Sequence, residues 1–249
     1  MRRPDTLVLQ SHRQPLPAAW LEPCLDSVRR WARANGFDYR FDDDVLFESV
    51  PVDLRERLRQ RPAIAADLAR LTALQAALDQ GYTTVVWLDA DTLIFDPAAL
   101  RLPEDSYALG REVWVQSVHG RLRAYVKVHN AFLLFRVGNP FLEFYRHAAE
   151  RIVRAHDGPM APQLVGPKLL TAVHNLICCP VAERAGMLSP LVASDLLAGG
   201  GAAFELFRAK SVVPPAALNL CASLVGRDFP VDRVDAVIER LLARGATGR

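Results

Sequence analysis

Two carboxylates one residue apart, Asp89 and Asp91, close the run Thr83-Thr84-Val85-Val86-Trp87-Leu88. That run is rich in β-branched residues and reads as a strand buried on both faces. In open α/β sheets, ligands bind outside the carboxyl ends of the strands. Two carboxylates delivered there can converge on one hard cation, Mg²⁺ or Mn²⁺, which fills the rest of its shell from phosphate and water. A cation so held neutralises charge that develops on a departing diphosphate. An ordinary solvated turn is the alternative for the same two residues. The apolar strand before them and Thr92-Leu93-Ile94-Phe95-Asp96-Pro97 after them favour the cation site.

Such a site has to be carried by a sheet, and the chain supplies the elements in alternation. Thr6 to Gln10 reads as a short buried strand, and Trp20 to Ala34 as an amphipathic helix that stops at Asn35-Gly36. Tyr39 to Phe41 reads as a second strand, followed by a solvated turn at Asp42-Asp43-Asp44. Helices are expected over Val52 to Arg61 and Ala63 to Gln80, the second ending at Gly81. After Asp91 come two extended stretches, Val113 to Val118 and Ala124 to Phe135. A helix from Pro140 to Ala155 is announced by Asn139 as N-cap, and Gln163 to Asn175 is a further helix. The last third offers Gly199-Gly200-Gly201, Pro214-Pro215 and a terminal helix over Val231 to Ala243. The expected fold is one α/β domain with a mostly parallel central sheet. Thr6–Gln10 and Thr83–Leu88 should sit centrally, so that their ends bring Gln10, Ser11, Asp67, Arg70, Asp89 and Asp91 to one cleft.

The helix motif Ala66-Asp67-Leu68-Ala69-Arg70, paired with Trp87-Leu88-Asp89-Ala90-Asp91, resembles the retaining GT-A glycosyltransferases. The likeness is to the yeast mannosyltransferase-like family 32, with echoes of the glycogenin-like family 8 and the galactosyltransferases of family 34. His129-Asn130-Ala131-Phe132, Gly138-Asn139-Pro140-Phe141 and Val165-Gly166-Pro167-Lys168-Leu169-Leu170-Thr171 extend it, so that it spans Asp67 to Thr171. The resemblance implies a Rossmann-like GT-A domain over residues 1–249, with a nucleotide-sugar half (1–100) and an acceptor-side half (101–249). It implies transfer of a hexose, with retention, from a nucleotide-diphosphate sugar to a saccharide or other hydroxyl acceptor. UDP is the expected nucleotide and Mn²⁺ or Mg²⁺ the cofactor.

By the same resemblance Asp91 is the direct metal ligand, and Asp89 touches metal, ribose or sugar. Asp67 and Arg70 match the pair that holds donor hydroxyls; strand topology, not the resemblance, adds Gln10 and Ser11 to the donor site. Asn130 joins the catalytic set, while Gly166, Pro167 and Lys168 lie on the acceptor side. An Arg fork beside a diphosphate and an Asp accepting from sugar hydroxyls suit those roles; a surface i,i+3 ion pair is the plainer alternative for Asp67 and Arg70. Enzymes of this type complete the metal shell with a late polar residue. No His or Trp follows His174, so Asn219 and Ser223 are the nearest candidates.

The totals bound the rest. Thirty basic and 28 acidic side chains leave a net charge of +2, which gives no electrostatic case for nucleic acid. The apolar run after Arg2-Arg3 is too short for a leader, and no transmembrane segment is expected. With neither leader nor span the protein is expected in the cytoplasm, and four cysteines without a CxxC pair read as buried thiols in a reducing compartment. Two rival functions use the same residues. A haloacid-dehalogenase-like phosphatase also ends a strand in Asp-x-Asp, with the first Asp as nucleophile. That pattern wants Thr or Val two positions after the second Asp, where this chain has Leu93. A catalytically inactive sugar-nucleotide binder would keep the same carboxylates.

Overall fold

Successive side chains of a strand point to opposite faces, and the first strand, β1 (Thr6–Ser11), is apolar on both. The computed structural model describes residues 5–247. In it Leu7 and Leu9 pack into one apolar cluster and Val8 into another, so the sheet is covered on both sides. Arg2 and Arg3, read above as part of too short a leader, lie outside the described residues.

After β1 come α1 (Leu21–Ala34), β2 (Asp38–Asp42), α2 (Val52–Arg57), α3 (Pro62–Asp79) and β3 (Thr84–Leu88). Then follow β4 (Thr92–Ile94), β5 (Tyr107–Val118), β6 (Arg121–Arg136), α4 (Phe141–Ala155) and α5 (Pro167–Ile177). The chain closes with β7 (Val181–Ala182), β8 (Ala185–Met187), α6 (Pro190–Leu197), α7 (Ala202–Lys210), β9 (Ala217–Asn219) and α8 (Val234–Thr247).

Among the described residues a six-stranded sheet runs in the order β2-β1-β3-β6-β5-β7. β1 pairs in parallel with β2 and β3, and β5 with β7, while β6 is antiparallel to both of its neighbours. Five strands therefore point one way, and the sheet is mostly parallel, with β1 and β3 side by side as expected. Leu7, Leu9, Val85, Trp87, Leu133 and Phe135 face α3 and α4. On the other side Val8, Val86, Leu88 and Phe132 meet Val28, Trp31 and Ala32 of α1. Each of these large apolar side chains contributes roughly 1.5–3 kcal/mol by its burial.

A second sheet of three short strands, in the order β4-β9-β8, stands beyond the end of β3. Together with α6, α7 and α8 it surrounds a separate apolar cluster that includes Leu93, Val113, Val115 and Leu218.

Several boundaries differ from the sequence reading, each for a local reason. α5 starts at Pro167 rather than Gln163, because Pro has no N–H to give and is suited to a first helical turn. The helix expected over Val52–Arg61 stops at Arg57. The terminal helix begins as a single 3₁₀ turn, Val231–Arg233, before α8. α4 begins at Phe141, one residue later than expected, with Pro140 in the cap position; the Asn139 side-chain oxygen still accepts from the Phe141 and Leu142 amides at 3.1 and 3.2 Å. Cys178, expected to be buried with the other thiols, is exposed at the C-cap of α5. No single helix among the described residues is long and apolar enough to cross a membrane.

Candidate active site

An irregularity in β6 prepares the site. Leu109 of β5 pairs with Leu133, but the next residue, Gly110, pairs with His129. Asn130, Ala131 and Phe132 are thereby left without partners on β5, a bulge of the kind that re-aims side chains beside functional sites. On their other edge Phe132 pairs with Leu88, and the Ala131 carbonyl accepts from the Asp89 amide at 3.0 Å.

His129 locks this bulge. Its Nδ1 accepts from the Ala131 amide at 3.0 Å and its Nε2 lies 3.1 Å from the Ala185 carbonyl. One acceptor and one donor nitrogen define a neutral imidazole protonated at Nε2. Burial pushes its pKa down to about 4. Glycine at 110 is what admits the ring, since a Cβ there would stand 2.2 Å from His129 Cε1.

The carboxylates lie just past β3, each fixed by different parts of the chain. Asp89 Oδ1 accepts from Arg70 Nη1 at 2.8 Å and from Trp87 Nε1 at 2.6 Å. Asp91 leads into β4, which runs antiparallel to β9 with Thr92 opposite Asn219. That register folds the segment after β9 over Asp91. Asn219 Nδ2 donates to Oδ1 at 2.5 Å, the Ala222 amide donates to Oδ2 at 2.7 Å, and the Leu220 amide donates to the Asp91 carbonyl at 2.8 Å. Burial, and then the neighbouring Asp89 charge, push Asp91 up to about 6.

Beneath the pair lies a buried ionic layer. Arg70 donates to Asp89 and to the Asn130 carbonyl, both at 2.8 Å, stands 3.3 Å from Asp67, and packs over the Trp87 ring at 5.1 Å. Asn130 Nδ2 donates to Asp67 Oδ1 at 2.7 Å. Burial pushes Asp67 up to about 6 despite Arg70 beside it. Burial alone would lower Arg70, but Asp89 and Asp67 more than offset it and raise the guanidinium above its ordinary value.

Above the pair opens a cleft of about 1120 Å³. Asp89, Asp91, Pro167, Lys168, Asn219 and Ser223 all line it. The remaining expected residues do not, and three expectations need correction. Gln10 was expected to meet the donor but is fully buried; its amide bridges the Asp89 carbonyl at 3.2 Å and the Tyr39 hydroxyl at 3.1 Å. Asp67, Arg70 and Asn130, at 6, 7 and 6 % exposure, are the floor beneath the carboxylates rather than the wall. Ser11, at the end of β1, is half-buried and is not among the residues lining the cleft.

Asn219, expected near the metal, stands directly against Asp91. Its Nδ2 donates to Asp91 and its Oδ1 accepts from the Cys221 amide at 2.9 Å, so both ends of the amide are engaged. Reversing the amide would set oxygen against carboxylate. Asn219 thus fixes Asp91 in place, and it lines the cleft together with Ser223.

Gly166 has a steric reason that the sequence did not disclose. A Cβ there would stand 2.5 Å from Asp67 Oδ2 and 2.8 Å from Asn130 Nδ2. Gly166→Ala is expected to cost about 1–3 kcal/mol through displacement of that pair. A lower denaturation midpoint at unchanged m-value is the expected reading; an unaltered midpoint would show the pair free to move.

Sequence reasoning missed Glu112, Trp114 and Lys127, which also line the cleft. The alternation of Glu112, Trp114 and Gln116 with Val113 and Val115 was the available signal.

No protein-family model and no curated protein sequence matches the chain. Solved structures do. A glycosyltransferase involved in glycosylation of the major capsid of PBCV-1 superposes with a TM-score of 0.50 at 12 % identity, covering 92 % of this chain and 98 % of that one. The fold is that of the GT-A glycosyltransferases. The galactosyltransferase LgtC, in complex with donor and acceptor sugar analogs, has a TM-score of 0.47 at 15 % identity over 96 % of this chain and 95 % of that one. At such identities the likeness is one of GT-A architecture, and the side chains carry any argument about chemistry.

Proposed function

We propose that the protein is a glycosyltransferase that moves a hexose from a nucleotide-diphosphate sugar, UDP-linked, to a hydroxyl acceptor with retention. One observation carries the reading: in a GT-A fold, Asp89 and Asp91 stand together at the C-terminal end of β3 and both line the large cleft. Their surroundings fit a divalent cation. Asp91 is half-buried, and desolvation and then the second carboxylate raise its pKa, a penalty that a cation shared by the two would remove. The described residues hold no cluster of three or more His, Cys, Asp or Glu. Two carboxylates, with phosphate and water as the other ligands, is the pattern of Mg²⁺ and Mn²⁺. Asp89 and Asp91 would hold it, and it would neutralise charge on the departing diphosphate.

What the chain itself does is preorganise. Arg70 and Trp87 fix Asp89; Asn219 and the Ala222 amide fix Asp91. No reorganisation of these groups is then needed as charge develops. Both oxygens of Asp91 are engaged and Asp89 is the partner of Arg70 and Trp87, an arrangement that suits a front-face route better than a covalent one. The anomeric carbon–phosphate oxygen bond breaks, the acceptor oxygen bonds to the same face, and the acceptor proton passes to the departing diphosphate. The four cysteines are free thiols, and we assign the protein to the cytoplasm on that ground.

A donor panel decides the matter. With Mn²⁺ present, a nucleotide sugar at a hundred times its Kd should stabilise the protein by about 2.7 kcal/mol, and mass spectrometry should detect slow hydrolysis of that donor. Binding without hydrolysis or transfer would make it an inactive binder. Turnover of p-nitrophenyl phosphate, with no nucleotide sugar bound, would replace the reading with the phosphatase.

A further inference from the structure

The cleft is larger than a donor requires. Sites for one drug-sized molecule span roughly 300–1000 Å³, and this one has about 1120 Å³. The extra length runs away from the carboxylates along β5. There Glu112, Trp114, Gln116 and Ser117 line the cleft with Val115 between them, while Val113 and Val115 also pack into the apolar cluster under α6 and α7. From Glu112 to Gln116 the strand extends about 13 Å, more than the width of one pyranose ring.

The opposite wall is built to match. Lys168, Thr171, Ala172 and Asn175 of α5 line the same cleft at a spacing that puts them on one helix face. β6 continues the β5 surface, with Lys127 opposite Glu112 and Tyr125 opposite Trp114. Lys127 Nζ lies 4.0 Å from Glu112 and 5.4 Å from the Tyr125 ring centre.

Trp114 is the informative residue. Of the four tryptophans, Trp20, Trp31 and Trp87 are buried at 6, 1 and 3 % exposure, while Trp114 is half-buried on the cleft wall. Its flat apolar ring sits between hydrogen-bonding side chains, the combination that suits a sugar with one apolar face and a rim of hydroxyls. The lining charges nearly balance, with Asp89, Asp91, Glu112 and Asp228 against Lys127, Lys168 and Arg227. A balanced field selects neither a strongly anionic nor a strongly cationic partner.

We propose that the β5 face bearing Glu112, Trp114 and Gln116, with α5 opposite, is an acceptor subsite for a neutral carbohydrate chain of at least two sugar units, stacked on Trp114. This rests on the transfer reading for its biological sense, but its binding can be measured without donor. Protein labelled with 5-fluorotryptophan has four fluorine resonances to assign, and Trp114→Phe identifies the one that belongs to the cleft. Neutral di-, tri- and tetrasaccharides should shift that resonance, and a monosaccharide glycoside or a Ser/Thr peptide should shift it less. Trp114→Ala should weaken oligosaccharide binding about tenfold or more, with the melting temperature unchanged and Mn²⁺-dependent UDP affinity within about twofold of the parent. Trp114→Phe should keep most of the affinity. If no oligosaccharide moves the Trp114 resonance, or the Ala variant binds as well as the parent, the subsite is overturned. If oligosaccharides bind through Trp114 and no nucleotide sugar binds, the subsite stands and the transfer reading falls.

Discussion

Asp91→Asn should lose Mn²⁺-dependent binding of the nucleotide sugar by about a hundredfold or more, roughly 2.7 kcal/mol, while the protein stays folded. The two halves of that expectation have separate causes. Asparagine keeps the shape but offers one acceptor where the carboxylate offers two. Its amide nitrogen must then face either Asn219 Nδ2 or the Ala222 amide, both of them donors. A buried donor left without an acceptor costs about 1–3 kcal/mol. Against that, the substitution removes a half-buried charge that is already disfavoured beside Asp89. The opposing terms should leave stability within about 2 kcal/mol of the parent. Metal binding has no such compensation, because a neutral amide is a weak partner for a hard divalent cation. Calorimetric titration with UDP and Mn²⁺, beside a denaturation curve, reads both. Undiminished affinity in a folded variant would remove Asp91 from the metal site.

Arg70→Ala should behave in the opposite way, as a loss of fold before a loss of ligand. Arg70 faces Asp67 and Asp89 and also donates to the Asn130 carbonyl. Its removal leaves Asp67 buried beneath the cleft, and Asp89 at its edge, without their counter-charge. Breaking a buried ion pair from one side costs about 3–5 kcal/mol. For a chain of this length that corresponds to roughly 6–20 °C in melting temperature. Were Arg70 chiefly a grip on the donor sugar, the variant would melt as the parent does and bind the nucleotide sugar poorly. Arg70→Lys should recover little, since an ammonium cannot span the two carboxylates and the carbonyl as the guanidinium fork does.

The contrast between these two residues marks what was legible in the sequence. β1 and β3 were legible because an uninterrupted apolar run bounded by polar residues has one physical outcome in a mostly parallel sheet. Asp89 and Asp91 followed, since strand direction fixes the edge to which a strand end delivers its side chains. Arg70 and Asp67 were placed correctly on α3, yet their surroundings were not. α3 is apolar on nearly every side, so the sequence carried no polar stripe to say which residues meet water. Gln10 misled for a similar reason, because a polar residue at a strand end reads as exposed until its partners, Tyr39 and the Asp89 carbonyl, are known. β7, β8 and β9 have two or three residues each and no period to detect. β9 nonetheless delivers Asn219 to Asp91, and that meeting of residues 128 apart was foreshadowed only by the family resemblance.

The clasp on Asp91 also sets an order of events during synthesis. Asp89 has its partners early: Arg70 and Trp87 precede it in the chain. Asp91 waits for Asn219 and Ala222, so a nascent chain that has not yet emerged past that point carries an acidic residue without its donors. Closing so long a loop is slow, and domains assemble from the amino end as they leave the ribosome. An unfinished or truncated chain can thus form β1 through β3 and still lack a set cation site. In the functional reading, a chain cut before Asn219 and Ala222 would keep both carboxylates yet lack the donors that hold Asp91 ready for a cation.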